Sequence, residues 1–212
     1  MVIAIDGPAG AGKSTVARAL AERLGLTYLD SGAMYRCVAL GVLRAGGDPD
    51  DPLTATAVAE ALELEMGPGI VRAGGEDVSA AIRAPEVTAA ASRVSVHPQV
   101  REAMVARQRE LIAAGSYVAE GRDIGTVVSP DSPLKVYLTA SDEERANRRA
   151  AESGQPYGEV LAAQRDRDER DRGREYGRLM PAEDSVELDT TGLAIDEVVE
   201  RVAGLVHERG LA

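Results

Sequence analysis

The chain opens with Val2-Ile3-Ala4-Ile5-Asp6 and passes straight into Gly7-Pro8-Ala9-Gly10-Ala11-Gly12-Lys13-Ser14-Thr15. An apolar run, a glycine-rich loop and a helix opening at Lys13 follow one another, with the spacing G-x-x-x-x-G-K-S of a phosphate-binding loop. The glycines let the backbone curl so that successive N–H groups converge at a helix N-terminus and form a nest for an anion. Lys13 can then reach the β- and γ-phosphates of a nucleotide, and the Ser14 hydroxyl is the candidate ligand for an accompanying Mg²⁺. Gly7, Pro8, Ala9, Gly10, Ala11, Gly12, Lys13, Ser14 and Thr15 are read together as the nucleotide-phosphate site.

Switches, motors, transporters and small-molecule kinases share such a loop, so the reaction must be read from the rest of the chain. Its 212 residues suit one compact α/β domain with small insertions. Six Tyr with no Phe or Trp leave a core built from Ala, Val, Leu and Ile. A net charge of −11 argues against nucleic acid as a partner, because neutralising a phosphate backbone takes a basic face. The one cysteine, Cys37, cannot form an internal disulfide and fits a reducing compartment. No apolar stretch approaches the roughly 20 residues of a membrane span, and no signal peptide precedes the first strand. The expectation is a cytoplasmic protein without a membrane partner.

Strands and helices alternate along the chain. Val16, Leu20 and Leu24 recur on one helix face, and Gly25 stops that helix. Thr27-Tyr28-Leu29 reads as a strand that gives way at Asp30-Ser31-Gly32 to a helix over 33–45, with another near 54–62. Around 60–85 the rhythm breaks into a hairpin-like piece, Leu64-Glu65-Met66 and Ile70-Val71-Arg72. Helices resume after Pro85, divided by His97-Pro98, the second burying Val100, Met104 and Leu111. Tyr117-Val118-Ala119, Leu134 to Leu138 and Val186-Glu187-Leu188 are further strands. Ser141-Asp142-Glu143-Glu144 is a capping box opening a helix, and Ile195 to Val206 close the chain with a well-phased one. Strands alternating with helices of this length imply a parallel sheet covered on both faces.

Chemistry in such a sheet gathers at the C-terminal ends of strands. Asp30-Ser31-Gly32-Ala33-Met34-Tyr35-Arg36 and Glu120-Gly121-Arg122-Asp123-Ile124-Gly125 both lie there. The run Arg165 to Arg174, RDRDERDRGR, is too charged for a core, and most of its charges are expected to face solvent. Arg167, Arg170 and Arg174 recur at i, i+3 and i+7, which predicts one helical face. Of the two histidines, His97 and His207, both read as structural.

LDSGAMYR, EDVSAAIR, EGRDIGTVV, the RDRDERDRGR run and the closing LDTTGLAIDEVV, in this order, resemble bacterial cytidylate kinases from Val2 to the C-terminus. The resemblance implies a P-loop nucleoside-monophosphate kinase core with a five-stranded parallel sheet flanked by helices, a small β-containing monophosphate-binding insert and a short helical lid. The corresponding boundaries are core at 1–59, insert at 60–93, core at 94–150, lid at 151–180 and core at 181–212. The implied reaction moves the γ-phosphoryl of ATP onto CMP or dCMP, with Mg²⁺, in a monomeric enzyme. By resemblance Asp30 belongs to the CMP site, Ser31, Arg36 and Arg122 hold the CMP phosphate, and Arg167 and Arg174 close in from the lid and, with Lys13 and Arg122, stabilise the transferred group. Asp171 is implied at the ribose hydroxyls, and Asp123, Arg101 and Ser92 at cytosine. Arg145 and Arg149, in the helix after Ser141, are the candidates for covering the ATP base. For Asp123 the alternative is a carboxylate that only orients Arg122.

Two rival readings stay open at this stage. A GTPase switch needs D-x-x-G soon after the loop and an N-K-x-D. This chain has D-x-x-G only at Asp189-Thr190-Thr191-Gly192 and no N-K-x-D. A P-loop kinase with another acceptor, such as UMP, AMP or a sugar acid, is the second.

Overall fold

The computed structural model describes residues 1–211. The opening apolar run is β1 (Val2–Asp6), buried at all five positions because helices cover both faces of its sheet. The helix predicted from Lys13 is α1 (Lys13–Leu24), and β2 (Thr27–Asp30) follows. Later strands of the same sheet are β6 (Tyr117–Gly121), β7 (Leu134–Thr139) and β8 (Val186–Asp189). They form the five-stranded parallel sheet β2-β6-β1-β7-β8, as expected.

Register places the chemistry. Asp6 pairs with Gly121 on one side and Tyr137 on the other, so the phosphate loop and the Arg122 turn leave the sheet at the same level. The chain can turn away there only through glycine. Gly7 has φ +146°, and a Cβ on it would stand 2.0 Å from the Leu138 carbonyl oxygen.

Two compact units divide the chain. The first, Met1–Tyr28 with Ala114–Ala212, holds Ile3, Ile5, Val16, Leu20, Val118 and Val136 in one core. Its other helices are α6 (Asp142–Ser153), α7 (Tyr157–Gly173) and α8 (Ile195–Glu208). Val198, Val202 and Val206 of α8 are buried as the periodicity predicts, whereas Ile195 is exposed. The Ser141 cap of α6 is half formed. Its hydroxyl accepts from the Glu144 N–H at 3.1 Å, but the Glu144 carboxylate turns to Arg148 rather than back to the cap.

The second unit is Leu29–Ala113. α2 (Ser31–Arg44), α3 (Pro52–Ala61), α4 (Pro85–Val94) and α5 (Pro98–Ala113) bury their apolar faces against one another. The broken rhythm is a three-stranded antiparallel sheet, β3 (Leu64–Gly67), β4 (Ile70–Ala73) and β5 (Glu76–Asp77). The sequence showed only its first hairpin, because β5 is two exposed acidic residues with no apolar pattern. Along α5, Leu111 is only partly buried, and Arg101 and Gln108 occupy inward positions beside Val100 and Met104. His97 is structural, its ring nitrogen 2.9 Å from the Pro49 carbonyl oxygen, and His207 is exposed.

Candidate active site

Two carbonyls of the phosphate loop are engaged by basic side chains. Lys13 Nζ donates to the Pro8 carbonyl at 2.7 Å, and Arg145 Nη1 to that of Ala9 at 2.7 Å. Thr190 Oγ1 lies 3.4 Å from the Ala11 carbonyl oxygen. Gly12, with φ +87°, turns the chain into α1. With the carbonyls engaged this way, the N–H face of the loop is left to an anion. Thr190 belongs to the Asp189-Thr190-Thr191-Gly192 stretch, whose place here is to brace the loop.

Lys13 is buried in a crowd of charge. Burial, joined by the guanidiniums of Arg122 and Arg167, lowers its pKa to about 7 against the opposing carboxylates of Glu120 and Asp6. Three basic side chains thus share one neighbourhood. Asp6 is the counterweight that sequence reading missed. Its carboxylate accepts the N–H groups of Ile124 at 2.9 Å and Gly125 at 2.7 Å, tying the strand end to the turn that carries Arg122 and Asp123. Burial raises the Asp6 pKa to about 6 despite those two bonds. The signal was available, since Asp6 directly precedes the first loop glycine in a strand otherwise wholly apolar.

Most charges of the run face solvent, as expected, but Asp168, Asp171 and Arg174 do not. Gln164, Asp168 and Asp171 are buried along one stripe of α7, so the polar face points inward and Arg170 points out. Arg174 is also buried, but it follows the helix end with φ −59° and ψ 142°. The i, i+3, i+7 face is therefore not formed. The Asp171 carboxylate receives Arg122 Nε at 2.9 Å on one oxygen and Arg174 Nη2 on the other. Burial pushes the Asp171 pKa up, but Arg122, Arg174 and Arg167 outweigh it and hold the group at about 2. Asp171, expected at a ribose, fixes two arginines here.

Arg149 and Arg145 were expected over the ATP base. Arg149 is exposed, with Nη1 3.4 Å from Glu152. Arg145 has a side chain only 2% exposed and is turned away from solvent. Arg148 in the next turn, not anticipated, donates to Thr190 at its carbonyl (2.7 Å) and hydroxyl (3.1 Å).

In the second unit Asp30 caps α2, accepting the Ala33 N–H at 2.9 Å and Arg36 Nη2 at 2.7 Å. Ser31 is buried in the first turn. Arg101, 1% exposed, lies over the Tyr35 ring at 5.5 Å and donates to the Ser95 carbonyl at 3.3 Å. The Ser95 hydroxyl in turn donates to the Ser92 carbonyl at 3.0 Å. Asp30 and Arg36 thus form one ion pair at the start of α2, and Arg101 is tied to Tyr35 and to the Ser95–Ser92 turn.

The sequence profile described as cytidylate kinase matches residues 3–208. The chain belongs to the cytidylate kinase family. A protein named cytidylate kinase from Solibacter usitatus (strain Ellin6076) is 49% identical over 99% of this chain and 93% of its own length. One of the same name from Geobacter sulfurreducens (strain ATCC 51573 / DSM 12127 / PCA) is 45% identical over 99% of this chain and 94% of its own. A solved gluconokinase from Sinorhizobium meliloti 1021 shares the fold, with a TM-score of 0.53 at 17% identity over 99% of this chain and 93% of that one. Membership in the cytidylate kinase family makes this chain a nucleoside-monophosphate kinase, and the rival GTPase reading lapses.

Proposed function

We propose that this chain transfers the γ-phosphoryl group of ATP to CMP, and to dCMP, giving CDP or dCDP and ADP. The observation that carries the reading is the convergence of Lys13, Arg122 and Arg167 beside the phosphate loop. Both reactants are anions, and a phosphate acceptor with a second pKa near 6 is already dianionic at neutral pH, so no general base is needed. What the transfer requires is cancelled repulsion and charge stabilisation on the group in flight, which preorganised cations supply. Arginine forks suit phosphate oxygens in two-point contact. Ser31, Arg36 and Arg122 are assigned to the CMP phosphate, and Arg167 and Arg174 to the transferred group. Asp171 has lone pairs beyond those its arginines use, so it can also take a ribose hydroxyl.

Ser14 is exposed in the first turn of α1, directly after Lys13, and fits one oxygen ligand of a Mg²⁺ that otherwise keeps phosphate oxygens and water. Bound with ATP, that ion would neutralise charge on the β- and γ-phosphates. Among the described residues no helix is long and apolar enough to cross a membrane. We place the protein in the cytoplasm as a monomer, with nucleotides rather than nucleic acid as partners.

Asp123 and Arg101 are assigned to cytosine, with Ser92. A carboxylate accepts from the cytosine N4 amino group but faces the uracil carbonyl with repulsion, so it rejects as well as attracts. That Asp171 already holds Arg122 favours this role over a merely orienting one. A mismatched buried hydrogen-bonding group costs about 1–3 kcal/mol, so Asp123→Ala is expected to compress the CMP-to-UMP ratio of kcat/KM at least about tenfold. Equal losses on both substrates would make Asp123 an orienter. The parent reading is tested by ADP release with CMP, dCMP, UMP, AMP and a sugar acid. Preference for either of the last two would overturn it.

A further inference from the structure

One heavily engaged buried charge in the first unit is one that the reaction, as assigned above, does not use. Arg145 spreads its guanidinium over four neighbours. Nε donates to the Ala140 carbonyl at 3.2 Å, and Nη1 to the Ala9 carbonyl of the phosphate loop at 2.7 Å. Nη2 reaches Asp142 at 2.6 Å and Asp168 of α7 at 2.7 Å. The side chains of Arg145 and Asp168 are each 2% exposed, so this is a buried ion pair with one partner on the helix of the charged run.

A second set of contacts joins the same elements. Gln164, one turn before Asp168, donates Nε2 to the Arg145 carbonyl at 3.2 Å. A Cβ on loop residue Gly10 would stand 2.7 Å from the Gln164 amide and 3.0 Å from Arg145 Cβ. Only a glycine lets the phosphate loop lie this close to α6 and α7. The carboxylate of Asp168 also acts on the guanidinium of Arg122, alongside Asp171. A helix held by Val160 alone would have no reason to bury a glutamine and two aspartates on its inner stripe.

We propose that Arg145 and Asp168 are positioning residues. Their buried pair, supported by Gln164, fastens α7 to the phosphate loop, so that the loop's state sets where Arg167 and Asp171 stand. Donor nucleotide in the loop and the groups on α7 are then linked through one chain of contacts, with two ends that move together. This inference rests on the kinase reading given above. Failure of the wild-type chain to phosphorylate CMP would sink that reading, whereas an active wild type with indifferent variants would sink only this one.

The test uses the full chain with Asp168→Asn, Arg145→Lys and the double variant. Steady-state turnover of CMP is measured beside the affinity of a non-hydrolysable ATP analogue. Asp168→Asn keeps the shape and removes the charge. It is expected to lower kcat at least about tenfold while the analogue affinity stays within about threefold. The double variant should lose little more than either single one, because the two residues act as a unit. Lowered thermal stability with kcat intact in both single variants would reduce the pair to a structural brace and overturn the proposal. It is overturned equally if Arg145→Lys weakens the analogue and erases preference for ATP over GTP while Asp168→Asn does neither. That result would put Arg145 on the base. Should Asp168→Asn not fold, Gln164→Met removes the second tether without touching charge. It should lower kcat about threefold at unchanged analogue affinity, and unchanged kcat in that variant refutes the fastening.

Discussion

Lys13→Met is expected to lower kcat by at least about 10²-fold, the scale of losing a preorganised charge donor aimed at the transition state. The same substitution should leave the nucleotide-free protein as stable as wild type, or more so. Lys13 is buried between Arg122 and Arg167, and its pKa is lowered to about 7 by that burial and by their charge. A cation in such a place is unfavourable until a phosphate arrives, and methionine fills the same volume without the charge. Catalytic power and stability therefore oppose each other at this position, as they do at many active sites. Turnover and thermal unfolding of the purified variant decide it. Near-normal kcat in a folded protein removes Lys13 from the reaction. A large loss of stability would mean that its bond to the Pro8 carbonyl holds the loop in shape, and that the fall in kcat is indirect.

Asp171→Asn should have the largest combined effect on stability and activity. The carboxylate is fully buried and neutralises Arg122 and Arg174, with Arg167 close by. An asparagine can accept from one guanidinium but must present its own N–H groups to the other. Breaking a buried pair in this way typically costs about 3–5 kcal/mol, and kcat should fall with it as the arginines lose their orientation. The pH dependence separates charge from shape. The folded pKa of about 2 lies below the ordinary 3.8, so ionised Asp171 contributes stability of about 2 kcal/mol that is fully present above pH 4. That contribution is lost as pH falls from about 4 through about 2. The gap between wild type and variant in urea unfolding should accordingly be wide at pH 7 and narrower near pH 3. A gap that does not change with pH would show that geometry alone, not charge, is lost. Arg174→Ala follows the same logic. Its burial against Asp171 means that it will not behave as the solvent-facing site its sequence context suggested.

What could be read from residues alone was whatever depends on local geometry. The loop Gly7 to Thr15 declares itself because no other chemistry needs glycines, lysine and serine at that spacing after a strand. The order of strands and helices was legible for the same reason, since apolar periods of two and near four survive any packing. The extra strand β5 was not, because two acidic residues carry no period. Nor was Asp6, whose meaning lies in the N–H groups of Ile124 and Gly125, more than a hundred residues away in the chain.

The charged run marks the boundary most clearly. Its composition reads as a solvated helix, because alternating charges have no hydrophobic face from which to infer an inside. Tertiary structure supplies that inside by bringing Arg145 and Arg122 to the stripe of Gln164, Asp168 and Asp171, where ion pairing does the work that apolar contact does elsewhere. Neighbouring residues are enough to establish that the chain binds a nucleotide phosphate on a parallel α/β sheet, since the loop and the strand and helix patterns are local. Which charges face inward, and which of them hold others in place, follows only from how the chain packs. A charge takes its role from its partner, and in this protein the partners come from distant parts of the chain.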